Sequence, residues 1–325
     1  MNREVNSVGI EEGAPGRPPV GAGDAAARKR KRQGWDFREG DEIAPGLHAQ
    51  RLLGGGTRYE AYLATDDELL SVVVVKILRP DQVESASAIR GLAAEKRSFE
   101  ALAHPSIPRS FGGNLAGDRP HLVLEQVEGP RLSTLLRKYG GLPLEQLLPL
   151  AIQLSSALHY THARGMVHLD VKPSNIIMSG PPKLIDFSIA RSIEEAANLS
   201  SIVGTDAYMA PEQTDPPRSG TVGPAADVWG LGVTLYNAVL GSLPFPEGDK
   251  DAASLEERFP QLAGSLESLP RETPPILTDA LESSLARDPA ARPTPKDIAL
   301  GLEPLISKLP TKPVLGRLKP RIRRR

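Results

Sequence analysis

The sequence predicts an α+β chain, with strand patterns gathered early and helical patterns dominating later. Leu47 to Leu53 reads as a strand, Ser71-Val72-Val73-Val74-Val75-Lys76-Ile77-Leu78 is a β-branched run, and His121 to Gly129 opens as a further strand. Between them lies a helical period from Ser87 to Leu102, with Leu92, Glu95, Phe99 and Leu102 on one face. Farther on, Leu144 to Arg164 carries Leu147, Ala151, Leu154 and Leu158 on one face, and Gly165 is placed to stop it. A helix opening at Asp227 is apolar almost all round, the pattern of a buried helix.

Composition bounds the rest. The chain has 325 residues, 40% of them hydrophobic, enough for a sizeable core. The formal net charge is -1, so the whole chain makes no electrostatic case for nucleic acid. The charge is uneven, because Arg28-Lys29-Arg30-Lys31-Arg32 is a basic run and Lys308 to Arg325 holds eight basic residues and no acidic ones. Such runs suit nucleic acid, an acidic partner or a membrane surface, and equally well are simply solvated. With no cysteine, disulfides, thiolate metal sites and a catalytic thiol are excluded. No apolar stretch is long enough for a membrane span and no secretory signal opens the chain, so the expected protein is soluble and cytoplasmic. Residues 1–42, rich in Gly, Pro and charge, are expected to be disordered, residues 43–309 to fold, and residues 310–325 to form a basic tail.

The stretch around which these elements are organised is His168-Leu169-Asp170-Val171-Lys172-Pro173-Ser174-Asn175. Asp170 can accept the proton of an attacking hydroxyl, Lys172 can neutralise a migrating phosphoryl group, and Asn175 can offer an amide oxygen to a metal ion. Asp186-Phe187-Ser188 follows eleven residues after Asn175. Upstream, Leu53-Gly54-Gly55-Gly56 joins two strand patterns, and glycines there let backbone N–H groups approach phosphates. Lys76 ends a buried strand, a costly place for an ammonium unless it meets an anion. Glu95 is a carboxylate on an apolar helix face and needs a partner, whereas Lys96 and Glu100 form a surface pair. His104 reads as a capping or packing residue.

These motifs, together with Gly204-Thr205-Asp206-Ala207-Tyr208-Met209-Ala210-Pro211-Glu212, resemble the eukaryotic-like Ser/Thr protein kinases common in bacteria. The resemblance covers roughly residues 43 to 309. It implies a small β-rich N-lobe (43–126) with one helix, and a larger, mainly helical C-lobe (127–309). It also implies ATP as substrate and Mg²⁺ as cofactor, with Mn²⁺ suiting the same oxygen ligands. Leu53, Gly54, Gly56 and Ala61 would belong to the nucleotide-covering loop, Val74 to the adenine roof, Leu124 to the gatekeeper position and Ile177 to the adenine floor. The backbones of Glu125 and Val127 would meet the adenine edge. Lys76, paired with Glu95, would hold the α- and β-phosphates, while Asn175 and Asp186 would hold the metal. Asp170 would act as base, with Lys172 and Thr205 beside it. Phe99 would pack on Phe187, Asp227 would anchor the catalytic loop, and Arg292 would pair with Glu212. Protein Ser/Thr hydroxyls are the implied acceptors, and Ser200 and Ser201 are candidate autophosphorylation sites.

Four residues depart from the family pattern. Leu169 replaces an arginine that grips a phosphorylated activation loop, Ser188 replaces the last glycine of the metal motif, Tyr59 stands where a third glycine is expected, and Val74 replaces an alanine. The polar catalytic set is nevertheless complete, which favours an active kinase. A pseudokinase that signals by binding partners, a small-molecule kinase and a tail-driven nucleic-acid binder are the alternatives.

Overall fold

Alternating burial along the strands builds the first lobe of the computed structural model, which describes residues 33–309. Strands β1 (Glu42–Ala44), β2 (Leu47–Gly55), β3 (Tyr59–Asp66), β4 (Ser71–Leu78), β5 (Ser110–Asn114) and β6 (His121–Glu125) form an antiparallel sheet in the order β1-β2-β3-β4-β6-β5. In β4, Val73, Val75 and Ile77 are fully buried on one face, against Tyr62, Ala64 and Ile43. The period of two therefore leaves Val74 and Lys76 on the opposite face, toward the inter-lobe cleft.

Helix α1 (Ala86–Ala101) crosses that cleft-side face. Ser85 caps it, accepting from the Ala88 N–H, and Leu92, Glu95 and Phe99 lie on its buried stripe. The remaining helices belong to the second lobe: α2 (Leu132–Tyr139), α3 (Leu144–Ala163), α4 (Ile193–Ala197), α5 (Pro211–Thr214), α6 (Pro216–Ser219), α7 (Pro224–Leu240), α8 (Leu255–Arg258), α9 (Pro275–Ser284) and α10 (Pro295–Ile306). Between α3 and α4 run the short strands β7 (Met166–Val167), β8 (Ile176–Ile177), β9 (Lys183–Leu184) and β10 (Arg191–Ser192), pairing β10 with β7 and β8 with β9. A strand-rich first lobe and a helical second lobe make this an α+β fold.

Helix α7 is buried on all sides from Ala226 to Ala238 and forms the centre of the second lobe. It starts at Pro224, three residues before the expected Asp227, because proline is well suited to the first helical turn. Arg292 fills the space beside it. Its guanidinium donates two hydrogen bonds to the Glu212 carboxylate, at 2.7 and 2.8 Å, and lies 5.0 Å from the Trp229 ring centroid. Strand β9 ends at Leu184, and the Ile185 N–H carries its pairing one step further by donating to the Asn175 carbonyl, 2.8 Å away.

Packing begins earlier than the sequence predicts. Trp35 stacks on Phe37, Phe37 meets the edge of Tyr62, and the Arg119 guanidinium lies over the Trp35 and Phe37 rings. The basic run at 28–32 and the tail at 310–325 lie outside the described residues. Among the described residues no helix is long and apolar enough to cross a membrane.

Candidate active site

A cavity of about 820 Å³ lies between the lobes. Its roof comes from the glycine turn between β2 and β3, with Leu53, Gly54, Gly56 and Ala61, and from Val74 on β4. Leu124, Glu125 and Val127 form the wall where the lobes join, and Ile177 lies on the opposite side. Lys76, Glu95 and Asp186 close the polar end. All twelve residues assigned from sequence to nucleotide binding therefore line one space. The need for glycine in the turn falls on Gly54, at φ 146°, and on Gly55, which the sequence reading passed over. A Cβ on Gly55 would stand 2.6 Å from the Tyr59 carbonyl oxygen, while Gly56 has open space around it.

The polar end is built by β4, α1 and the segment after β9. Lys76 Nζ donates to Glu95 Oε1 at 2.7 Å and to Asp186 Oδ1 at 2.9 Å. Burial works against the Lys76 ammonium, but the two carboxylates outweigh it and hold its pKa above the usual lysine value. Burial pushes the Glu95 carboxyl up while Lys76 pulls it down, and burial dominates. Burial also opposes ionisation of Asp186. There the Lys76 ammonium prevails, and the carboxyl sits well below the usual range. Tyr59 lays its ring 4.3 Å from Lys76 Nζ, and burial pushes its phenol up.

Phe99 on α1 meets Phe187 edge-on with centroids 5.1 Å apart, and Phe187 meets His168 at 4.6 Å. This stack carries helix α1, and with it Glu95, down to the catalytic loop. That loop is fixed from below by Asp227, buried in α7. Its carboxylate accepts from the backbone N–H of His168 at 2.8 Å and of Leu169 at 2.7 Å, and pairs with His162 Nε2 at 2.8 Å. Burial raises the cost of this charge, yet the hydrogen bonds and His162 keep the carboxyl depressed. Leu169 is itself buried, at φ 65°, a left-handed conformation that the two Asp227 bonds help hold.

Above this anchor, Asp170 is surrounded by the residues singled out with it. Thr205 donates to Oδ1 at 2.7 Å and accepts from Lys172 at 2.6 Å. Lys172 Nζ is also 2.6 Å from Oδ2, and Asn175 Nδ2 donates to the same oxygen at 3.0 Å. With its NH₂ directed at Asp170, Asn175 leaves its amide oxygen available as a hard ligand, and Asp186 presents a carboxylate. The activation segment is pinned at its end without an arginine from the catalytic loop. Gln213 donates to the Leu169 and Val203 carbonyls, Arg258 pairs with Asp206 at 3.0 Å, and Gln261 donates to the Asp206 and Met209 carbonyls.

Some contacts were missed from sequence. Lys183 reaches the Glu125 side chain at 3.0 Å and so ties the lobe junction to the strand before Asp186. Arg131 lines the cavity and donates to the Ser174 carbonyl. Only the opposite charges of Lys183 and Glu125 could have hinted at the first, and nothing local signals the second. His104 packs on Tyr160, bonds Ser156 and accepts from the Ser106 N–H, a structural role.

The protein kinase domain model matches residues 47–300. Among curated proteins, the chain is 33% identical over 264 residues to the serine/threonine-protein kinase PknA of Mycobacterium tuberculosis, covering 78% of this chain and 60% of the relative. It is 34% identical over 203 residues to PknB of Mycobacterium leprae, covering 60% of this chain and 32% of the relative. A probable serine/threonine-protein kinase of Clostridium perfringens is 29% identical over 258 residues, covering 78% of this chain and 37% of the relative. The chain therefore spans about 60% or less of the length of these relatives.

Proposed function

The chain belongs to the protein kinase family, in its bacterial-type Ser/Thr branch, and from that premise we propose that it transfers the γ-phosphoryl group of ATP to Ser or Thr hydroxyls of protein substrates. The observation that carries the proposal is Lys76, bonded at once to Glu95 and Asp186, because kinase catalysis requires both the lysine–glutamate pair and the metal-motif aspartate to be in place. The cleft fits a nucleotide in volume and lining, with apolar walls for a base and an ammonium at the polar end.

In this reading the chain works by positioning and electrostatics. Asp170 orients the acceptor hydroxyl and takes its proton as the hydroxyl oxygen forms its bond to the γ-phosphorus. The bond from that phosphorus to the β,γ-bridging oxygen breaks, and ADP carries away the electron pair. Lys172 stabilises charge on the group in transfer, and Thr205 holds Asp170 and Lys172 in register. Asn175 and Asp186 would hold Mg²⁺, which neutralises phosphate charge when bound. The folded kinase domain is proposed to span about 43–309, extended by the aromatic clasp at Trp35 and Phe37.

Incubation with Mg²⁺ and labelled ATP, followed by analysis of the phosphorylated residue, tests the proposal. Label on Ser or Thr of the chain itself or of a basic protein acceptor is the expected result. Label on Tyr alone, or none with nucleotide still bound, would overturn it, and the second outcome would turn the assignment to a pseudokinase.

A further inference from the structure

The glycine turn is gripped by a buried ion pair whose carboxylate reaches the cavity wall and whose guanidinium lies behind it. Glu60 follows Tyr59 on β3 and is only 3% exposed. Its carboxylate accepts from Arg79 Nη1 at 2.9 Å, from the Tyr62 hydroxyl at 3.2 Å and from the Trp35 backbone N–H at 3.0 Å. Arg79 spans the turn. Its Nε donates to the Gly56 carbonyl at 2.9 Å, and its backbone N–H donates to the Arg58 carbonyl, also at 2.9 Å. Trp35 closes the arrangement from behind, its indole N–H donating to the Leu78 carbonyl at 2.7 Å, next to Arg79.

In a trans peptide the carbonyl and the following N–H point in opposite directions. Drawing the Gly56 and Arg58 carbonyls toward Arg79 therefore turns the N–H groups of Thr57 and Tyr59 away from it. Gly56, Tyr59 and Glu60 line the cavity and Arg79 does not, so Arg79 holds the turn from its far side and fixes the way those two N–H groups face. A carboxylate buried at this level needs its cation, so the guanidinium is held where it grips the turn. Arg suits the task better than Lys, since its planar fork meets Glu60 and the Gly56 carbonyl together.

We infer that Glu60 and Arg79, with the Trp35 segment docked on Glu60, are a positioning brace that aims glycine-turn amides at the phosphates of the nucleotide. The inference rests on the kinase reading of the cleft and deepens it: a segment before the first strand and an ion pair behind the glycine turn take part in phosphate binding. A brace of this kind acts on the phosphate end of the ligand and leaves the adenosine end alone.

Calorimetric titration of the full chain with MgATP and with adenosine separates the two ends. Glu60→Gln keeps the carbonyl oxygen but loses the charge. Glu60→Gln/Arg79→Met removes both members and leaves no buried unpaired charge, so the fold is spared. The double variant is expected to lose about tenfold in MgATP affinity, the worth of one charge-assisted hydrogen bond, with adenosine affinity unchanged. Arg79→Lys, able to satisfy one contact at a time, is expected to fall between wild type and the double variant. Unchanged MgATP affinity in the double variant would overturn the brace, as would an equal loss for adenosine, which marks collapse of the whole cleft. A wild-type chain that binds neither ligand would instead refute the kinase reading, and the brace with it.

Discussion

The catalytic loop and the glycine turn face the same cleft but are held differently. His168 and Leu169 hang from a carboxylate buried in the central helix, and that helix is packed on every side. Residues 55–58 of the glycine turn are exposed, and the turn is held by one ion pair at the rim of the sheet. A base that must meet a hydroxyl within a fraction of an ångström gains from a rigid mounting, while a lid that must admit and release a nucleotide gains from a soft one. The difference makes the lower loop a matter of global stability and the upper turn a matter of ligand affinity.

Substitutions at the two mountings test that division. The largest effect on folding is expected below, at Arg292→Ala, which leaves Glu212 buried and unpaired and should cost about 3–5 kcal/mol in urea unfolding. A cost below about 1 kcal/mol would mean that the second lobe does not depend on this pair, and the contrast would weaken. A smaller loss, about 1–3 kcal/mol, is expected for Asp227→Asn at neutral pH. The Asp227 carboxyl is depressed in the folded chain, so its contribution is complete above the unfolded carboxylate value near 4 and is lost as pH falls through the lower, folded value. Stability of the Asn variant should therefore fall less steeply than that of wild type as pH drops from about 5 toward 2. An identical pH slope for both would show that Asp227 is not a source of acid sensitivity. The smallest effect is expected at the activation segment. Leu169 offers a phosphate no charge, and the segment end is already pinned by Gln213, Arg258 and Gln261. Ser200→Ala/Ser201→Ala should then change phosphate transfer by no more than about twofold. Complete loss in that variant would contradict the reading.

What could be read from the sequence followed from chemistry packed into short stretches. Asp170, Lys172 and Asn175 lie within one turn of chain, and Lys76 and Glu95 each betray themselves as charges in apolar patterns. Their partners across the cleft were legible only because the motifs resemble a family; periodicity alone could not have joined Lys76 to Asp186, 110 residues away. The brace was hidden for the opposite reason. Glu60 and Arg79 look like ordinary strand charges, and their burial depends on how β3 meets β4 and on Trp35 folding back. The one available signal was a pair of aromatic residues, Trp35 and Phe37, in a segment otherwise rich in charge and glycine.

The central claim is that the assembled polar set transfers phosphate. Transfer from labelled ATP by wild type, Asp170→Asn and Lys76→Met, measured side by side with MgATP affinity, tests it most directly. Loss of about 10²–10⁴-fold in transfer with the Asn variant still binding nucleotide is the predicted result. Wild-type transfer that survives unchanged in both variants, or an inactive wild type that binds MgATP normally, would contradict it.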